Sequence, residues 1–228
     1  MRQVYVFLVI LGVMAIPASF VLGFRSDPGA PAINYLWDFL LYAGFMSIHI
    51  IMMLPAFKRA VYGHPQSKPF ERRIYVSVSI VTWLLVYAYH LPLPGPAWVA
   101  PAWLQLVGIC GVFAGFLMFF EGATFEFLKA FMGAPGTDLS HSADSATPLM
   151  TQGSYAAVRH PMYRGAVTYT FASLLIHPHA AQLFFAIVVA LSFVLFIPFE
   201  EKGLIRARGD EYLAYMRVVR YRVFRGVW

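Results

Sequence analysis

The sequence predicts an all-α fold: a polytopic membrane helical bundle of about six crossings, ending in a C-terminal helical hairpin and carrying a cytoplasmic loop and tail. Three observations predict it. Of the 228 residues, 60% are hydrophobic and only 12% charged, where an ordinary soluble domain has roughly 25% charged. The apolar residues fall in runs of spanning length, and the basic residues gather at one side of those runs.

Crossing roughly 30 Å of hydrocarbon at about 1.5 Å per residue takes about 20 apolar residues. Residues 5–24, 35–54, 74–90 and 103–120 supply four such runs. The first is longer than the roughly 7–15 residues of a signal-peptide core, so it reads as a retained span. A fifth apolar region, 162–199, is interrupted at His177, Pro178 and His179. Proline removes a helix donor and disfavours helix just before it, so this region reads as a tight hairpin. Its first arm, 162–176, covers about 22 Å and its second, 180–200, about 31 Å, a mismatch that predicts a recessed first arm.

Six crossings place both termini on one side. Arg25 alone falls on the other. Arg2, Lys58, Arg59, Lys68, Arg72, Arg73, Lys129, Arg159, Arg164 and the basic residues from Lys202 to Arg225 share the first side. The positive-inside rule makes that side cytoplasmic, so the net charge of +6 reads as membrane orientation and not as nucleic-acid binding. The polar segments 121–155 and 200–228 are then both cytoplasmic, and 133–148, rich in Gly, Pro, Ser, Thr and Asp, reads as a mobile loop. Residues 1–228 read as one integral-membrane domain, a four-span half (1–120) followed by the loop, hairpin and tail (121–228) that form its site. The single cysteine, Cys110, excludes an intrachain disulfide and a cysteine metal cluster and is expected to be buried in packing. No metal site is expected.

Chemistry concentrates in two patches. The first is Tyr155, Arg159, His160, Pro161, Met162, Tyr163, Arg164 and Gly165, directly before an apolar helix. Desolvating such groups is costly unless something binds them. Pro161 suits the first helical turn, where its missing donor would be unpaired anyway. Free backbone donors at that N-terminus, with Arg159 close by, suit the carboxylate of an amino-acid-like ligand. The second patch is Glu200 and Glu201, which the returning hairpin arm brings close to Gly165. Arg159 with either glutamate would address opposite ends of a zwitterion. Adjacent helix positions differ by about 100°, so which glutamate faces a ligand stays open. Beyond them, Arg206, Arg208, Tyr212 and Tyr215 lie on a basic and aromatic segment. It reads either as a cover over the ligand or as a juxtamembrane amphipathic helix anchored at headgroups.

These residues carry a resemblance. Arg159-His160-Pro161-x-Tyr163-x-Gly165, then Glu200-Glu201, then Gly209-Asp210-Glu211-Tyr212-x-x-Tyr215 resembles the C-terminal region of the isoprenylcysteine carboxyl methyltransferase superfamily. In the N-terminal half, His49, the run Pro55-Ala56-Phe57-Lys58-Arg59 and Glu71-Arg72-x-x-Tyr75 are similar to the bacterial branch that contains methanethiol S-methyltransferase and NnrU-like membrane proteins, and 125–129 matches its cytoplasmic strip loosely. Ile50 after His49, and Leu54 before Pro55, depart from that branch.

The resemblance implies an S-adenosylmethionine-dependent methyltransferase of a bacterial inner membrane. Tyr155, Arg159, His160, Pro161, Tyr163, Gly165, Glu200, Glu201, Tyr212 and Tyr215 would then hold the cofactor, and His49, Arg159 and Glu201 would act in catalysis. The acceptor is a small or lipophilic thiol, or else an isoprenoid or lipid carboxylate. Membrane lipid is the surrounding partner, and no protein partner is implied. A non-catalytic NnrU-like or haem-binding protein using His49 and His90 is the remaining reading. Those two residues differ in depth by roughly 15 Å, too far apart for one iron. Asp38, His177 and His179 fall at the outer membrane interface.

Overall fold

Long apolar runs become long helices because, in lipid, every backbone polar group must be satisfied within its own segment. A computed structural model describes residues 2–63, 70–120 and 149–228. Its helices are α1 (Arg2–Leu22), α2 (Asn34–Met53), α3 (Pro55–Tyr62), α4 (Glu71–Tyr89), α5 (Ala102–Phe120), α6 (Pro161–Ala172), α7 (Ala180–Arg208) and α8 (Asp210–Val218). Two isolated β-bridges, Ser26 with Leu93 and Ala97 with His179, join loops at one end of the bundle. Lys68, the 125–129 strip and the 133–148 stretch lie outside the described residues.

Among the described residues, three stretches are long and apolar enough to cross a membrane: Ile33–Met53, Ala102–Phe120 and Ala180–Arg208; Phe7–Leu22 is a shorter apolar helix. Their large apolar side chains point outward. Phe7, Leu11, Phe39, Ile51, Leu85, Leu106, Phe113, Leu117, Leu191 and Leu195 are all exposed, a belt that lipid covers in a membrane bundle and that a soluble protein would bury. Cys110 belongs to that belt: it is exposed, contrary to the expectation of burial. The packed face of α5 is instead its glycine stripe.

That stripe sets the closest helix pair. A β-carbon on Gly115 would lie 2.5 Å from the Tyr169 backbone nitrogen, and one on Gly165 would lie 2.6 Å from the Gly115 carbonyl oxygen. Gly108 faces Ile176 and Gly111 faces Ala172 in the same way. Small residues at this spacing let two backbones touch in a membrane, where dispersion and polar contacts replace the hydrophobic effect.

The interior is aromatic. Phe20, Phe24, Trp83, Tyr169 and Phe185 are buried in one cluster, with Phe24 stacked on Phe185 at 3.8 Å between ring centroids and Phe20 on Trp83 at 5.8 Å. Gln182, fully buried, accepts from the Phe24 backbone N–H at 3.2 Å and donates to the Phe20 carbonyl at 3.2 Å and to Ser173 Oγ at 2.6 Å. This one amide ties α1 to both arms of the hairpin.

The hairpin turns where Pro178 predicts. α6 ends at Ala172, a 3-10 turn covers Ser173–Leu175, and α7 starts at Ala180. His177 donates to the Val21 carbonyl at 2.7 Å, and His179 Nδ1 caps α7 by accepting from Gln182 N at 3.2 Å. These histidines therefore staple the turn and are more than interfacial groups. Asp38 is likewise fully buried, accepting from Leu91 N at 2.9 Å, where the sequence suggests a hydrated outer position. The second arm is longer than expected. α7 runs about 44 Å, through Pro198 and both glutamates to Arg208, so the segment read as a separate basic cover is divided. Leu204 to Arg208 continue α7, and Asp210–Val218 form α8 after Gly209, whose φ of +55° suits a residue without a β-carbon.

Candidate functional site

Pro161 opens α6 at its first turn, which leaves Arg159 and His160 in irregular chain just before the helix. Their backbones are fixed by the tail: Arg159 N donates to the Tyr221 carbonyl at 2.9 Å and His160 N to that of Arg222 at 2.8 Å. α7 then delivers Glu200 and Glu201 against them. The two patches separated in sequence are one network in space.

Glu201, 4% exposed, is enclosed by cations. Its Oε1 accepts from Arg159 Nε at 2.7 Å and from His160 Nε2 at 3.3 Å, and its Oε2 accepts from Arg222 Nε at 3.0 Å. Arg159 Nη1 also donates to the carbonyls of Val219 and Arg220, both at 2.7 Å. Arg159 and Glu201 thus bind each other and the tail. A buried ion pair holds when its remaining donors and lone pairs are satisfied, and here backbone carbonyls and a second guanidinium satisfy them.

Glu200 differs from its neighbour. Its side chain is 37% exposed, with Oε2 accepting from Tyr163 OH at 2.6 Å and lying 3.5 Å from His160 Nδ1. The rings of His160 and Tyr163 are parallel within 9° at 5.4 Å, and Tyr163 stacks on Phe193 at 4.6 Å. His160 therefore faces a carboxylate with each ring nitrogen. Burial opposes charge on His160, but the hydrogen bonds and charges of Glu200 and Glu201 outweigh it and raise the pKa above its ordinary 6.5. An imidazolium donates from both nitrogens, as this geometry requires.

The raised value has a pH consequence. A group whose folded pKa is raised stabilises the fold fully below its unfolded value, near 6.5, and that contribution is lost as pH climbs through the folded value. Thermal midpoints of detergent-purified protein should fall as pH rises above about 6.5, and His160→Gln should flatten that slope. An unchanged slope in the variant would contradict the imidazolium.

Around this network lie Tyr155, Tyr212 and Tyr215. Tyr212 and Tyr215 are buried with Val219 in a small apolar cluster, and Tyr215 OH donates to the Tyr155 carbonyl at 2.8 Å. Burial, and then the Glu200 charge, raises the Tyr155 phenol; burial and the Glu201 charge do the same to Tyr212. Protonated phenols remain donors. Two buried hydroxyl oxygens, Tyr212 OH and Ser154 Oγ, have no hydrogen-bond partner among the described residues, an arrangement that costs free energy unless a ligand supplies one.

His49 is outside the network. It packs between Phe45 at 4.5 Å and Tyr75 at 5.3 Å, with a buried Nδ1 that has no hydrogen-bond partner among the described residues. Tyr75 in turn lies within electrostatic reach of Glu200 and Tyr163. His90 is committed elsewhere: Nε2 accepts from Arg25 N at 2.7 Å and Nδ1 donates to the Tyr87 carbonyl at 2.6 Å, which leaves neither nitrogen for an iron. Sequence reading assigned no role to Arg222, Ser154 or Tyr75. The first two lie in stretches without periodic or motif signal. Tyr75 stands in the quoted Glu71-Arg72-x-x-Tyr75 pattern but had no partner to reveal it.

A family model described as phospholipid methyltransferase matches residues 106–209, from α5 through the end of α7 and including Arg159, His160, Glu200 and Glu201. Methanethiol S-methyltransferase 2 of Bradyrhizobium diazoefficiens is 30% identical over 216 residues, covering 92% of this chain and 79% of that protein. Methanethiol S-methyltransferase 1 of the same organism is 30% identical over 185 residues, covering 80% of this chain and 64% of that protein, just under two thirds of its length. No solved structure matches.

Proposed function

Since the chain belongs to the isoprenylcysteine carboxyl methyltransferase-like superfamily, in the branch of the methanethiol S-methyltransferases, and is an integral-membrane methyltransferase, we propose that it moves a methyl group from S-adenosylmethionine to a small thiol. The observation that carries the reading is the Arg159–His160–Glu200–Glu201 network at the mouth of the hairpin, with a half-open carboxylate at its edge.

The residues present fit this cofactor. Its ammonium, ribose hydroxyls and adenine amine need acceptors, and Glu200, Ser154 Oγ and Tyr212 OH offer capacity that the protein leaves unused. When bound, S-adenosylmethionine supplies an electrophilic sulfonium methyl that a thiolate takes by in-line displacement. The chain's own work is positioning, which can account for much of such a rate. Glu200 faces the cofactor and accepts from it. Glu201 and Arg159 act as positioning residues that fix Glu200, His160 and the tail, while Tyr155 and Tyr215 wall the nucleoside side. Pro161 and Gly165 shape the helix start beneath it.

In a bacterial inner membrane the bundle makes six crossings with both termini cytoplasmic, and the chain works as one domain. This places Glu200 and Glu201 where the cofactor is made and lets an acceptor arrive from water or lipid. Purified protein given methyl-labelled S-adenosylmethionine and methanethiol should release labelled dimethyl sulfide into the headspace. Label appearing only in the lipid extract would transfer the reading to a lipid acceptor, and label in neither would overturn it.

A further inference from the structure

After α8 the chain folds back on itself. Phe224, Arg225, Gly226 and Val227 form a turn in which Val227 N donates to the Phe224 carbonyl at 3.3 Å. Gly226 takes the third place with φ of +79°, the sign that a type II turn requires there. Nothing lies within 4 Å of a β-carbon built on Gly226, so its backbone conformation, and not the space around it, calls for glycine. The turn returns Trp228 to Arg222. Arg222 N donates to the Trp228 carbonyl at 2.7 Å, and the Arg222 guanidinium lies over the Trp228 ring at 4.6 Å.

Arg222 is gripped from the other side by the site. Its carbonyl accepts from His160 N at 2.8 Å, and its Nε donates to Glu201 Oε2 at 3.0 Å. The two charged partners differ in exposure: the Glu201 side chain is 5% exposed and that of Arg222 27%, so a guanidinium that leaves Glu201 reaches water in a short swing. Arginine gives up much rotamer freedom when it is fixed in one geometry. An aromatic ring against its planar face offsets part of that cost by cation–π and stacking attraction, and tryptophan offers the strongest such face. The backbone bonds of Arg222 to His160 and Trp228 survive a change of the Trp228 side chain. The ring contact does not.

We propose that Trp228 is a positioning residue for the cofactor site: its ring keeps the Arg222 guanidinium on Glu201, and Glu201 in turn fixes Arg159, His160 and, as its neighbour on α7, the orientation of Glu200. The inference rests on the S-adenosylmethionine reading above. Trp228 acts through Arg222 and not by contact with the cofactor. Without the ring, Arg222 turns to solvent and Glu201 Oε2 loses its donor. A carboxylate buried on one side without that charge draws on Arg159 and His160 instead, and Glu200 no longer meets the ligand from a fixed place.

Two readouts on the detergent-purified full chain test this. One is the affinity for S-adenosylhomocysteine; the other is hydrogen exchange of the Arg159 and His160 backbone N–H groups, which the carbonyls of Tyr221 and Arg222 cover. Trp228→Ala should weaken binding about fivefold and speed that exchange by about the same factor, the scale of one half-buried cation–π contact. Trp228→Phe should recover most of both losses, whereas Trp228→Leu, which fills space without a π face, should not. Gly226→Val puts a β-branched residue at positive φ and should copy Trp228→Ala. Gly226→Asn, which tolerates that conformation, should stay within about twofold of wild type. Leucine serving as well as phenylalanine reduces Trp228 to apolar packing and overturns the proposal. Trp228→Ala with unchanged affinity and exchange, in a protein whose wild type binds, overturns it while leaving the cofactor reading intact. A wild type that binds no S-adenosylhomocysteine overturns both.

Discussion

Glu201→Ala is expected to lose methyl transfer and to lower the thermal midpoint by about 10 °C, the shift that about 3–5 kcal/mol produces in a chain of this size. The cost arises from what stays behind. Arg159, 6% exposed, keeps its carbonyl partners but loses its counter-charge, Arg222 loses its own at the same moment, and His160 is left with Glu200 alone. Glu200→Gln provides the contrast. Its side chain is 37% exposed, so the midpoint should hold within about 2 °C while affinity for S-adenosylhomocysteine falls about tenfold, the loss expected when one charge-assisted hydrogen bond becomes neutral. Melting curves and binding isotherms on the two variants separate the roles. Equal effects on stability from both would contradict the assignment of Glu201 to positioning and Glu200 to the cofactor.

Gly165→Ala is the second large effect. The added β-carbon meets the backbone of Phe119 and lies 2.6 Å from the Gly115 carbonyl oxygen. Backbone cannot rotate aside as a flexible side chain does, so α5 and α6 must separate along their whole contact. Overpacking of this kind costs about 1–3 kcal/mol, and more where no side chain can yield. Activity should fall further than stability, because α6 carries Tyr163 at its start and any tilt moves that phenol off Glu200. Gly203→Ala is the control: nothing lies within 4 Å of its added β-carbon, and helix propensity alone should stabilise it by about 0.5–1 kcal/mol. A Gly165→Ala protein with unchanged melting would mean that the α5–α6 contact is looser than described.

Much of the fold was legible because a membrane imposes a length on apolar runs. The runs at 5–24, 35–54, 74–90 and 103–120 reappear as α1, α2, α4 and α5 with ends shifted by about three residues at most, and Pro178 marks the hairpin turn. The meeting of residues 159–165 with 200–201 was legible for the same reason, since two antiparallel arms of known rise must return to their starting level. Their pairing was not. Whether Arg159 meets a ligand or Glu201 depends on a rotation of about 100° between neighbours and on the tail, whose carbonyls at Val219 and Arg220 come from far along the chain without any local pattern. Cys110 misled for a related reason: in a bundle facing lipid, an apolar environment no longer implies burial, and the packed side of α5 is marked by Gly108, Gly111 and Gly115. The continuation of α7 through Pro198 follows from membrane tolerance of a missing donor.

The hairpin mouth is proposed as an S-adenosylmethionine site. Calorimetric titration of S-adenosylhomocysteine into detergent-purified wild-type protein tests it most directly. Saturable one-to-one binding is expected, weakened about tenfold in Glu200→Gln and abolished in Glu201→Ala; a folded wild type that shows no binding would rule the site out.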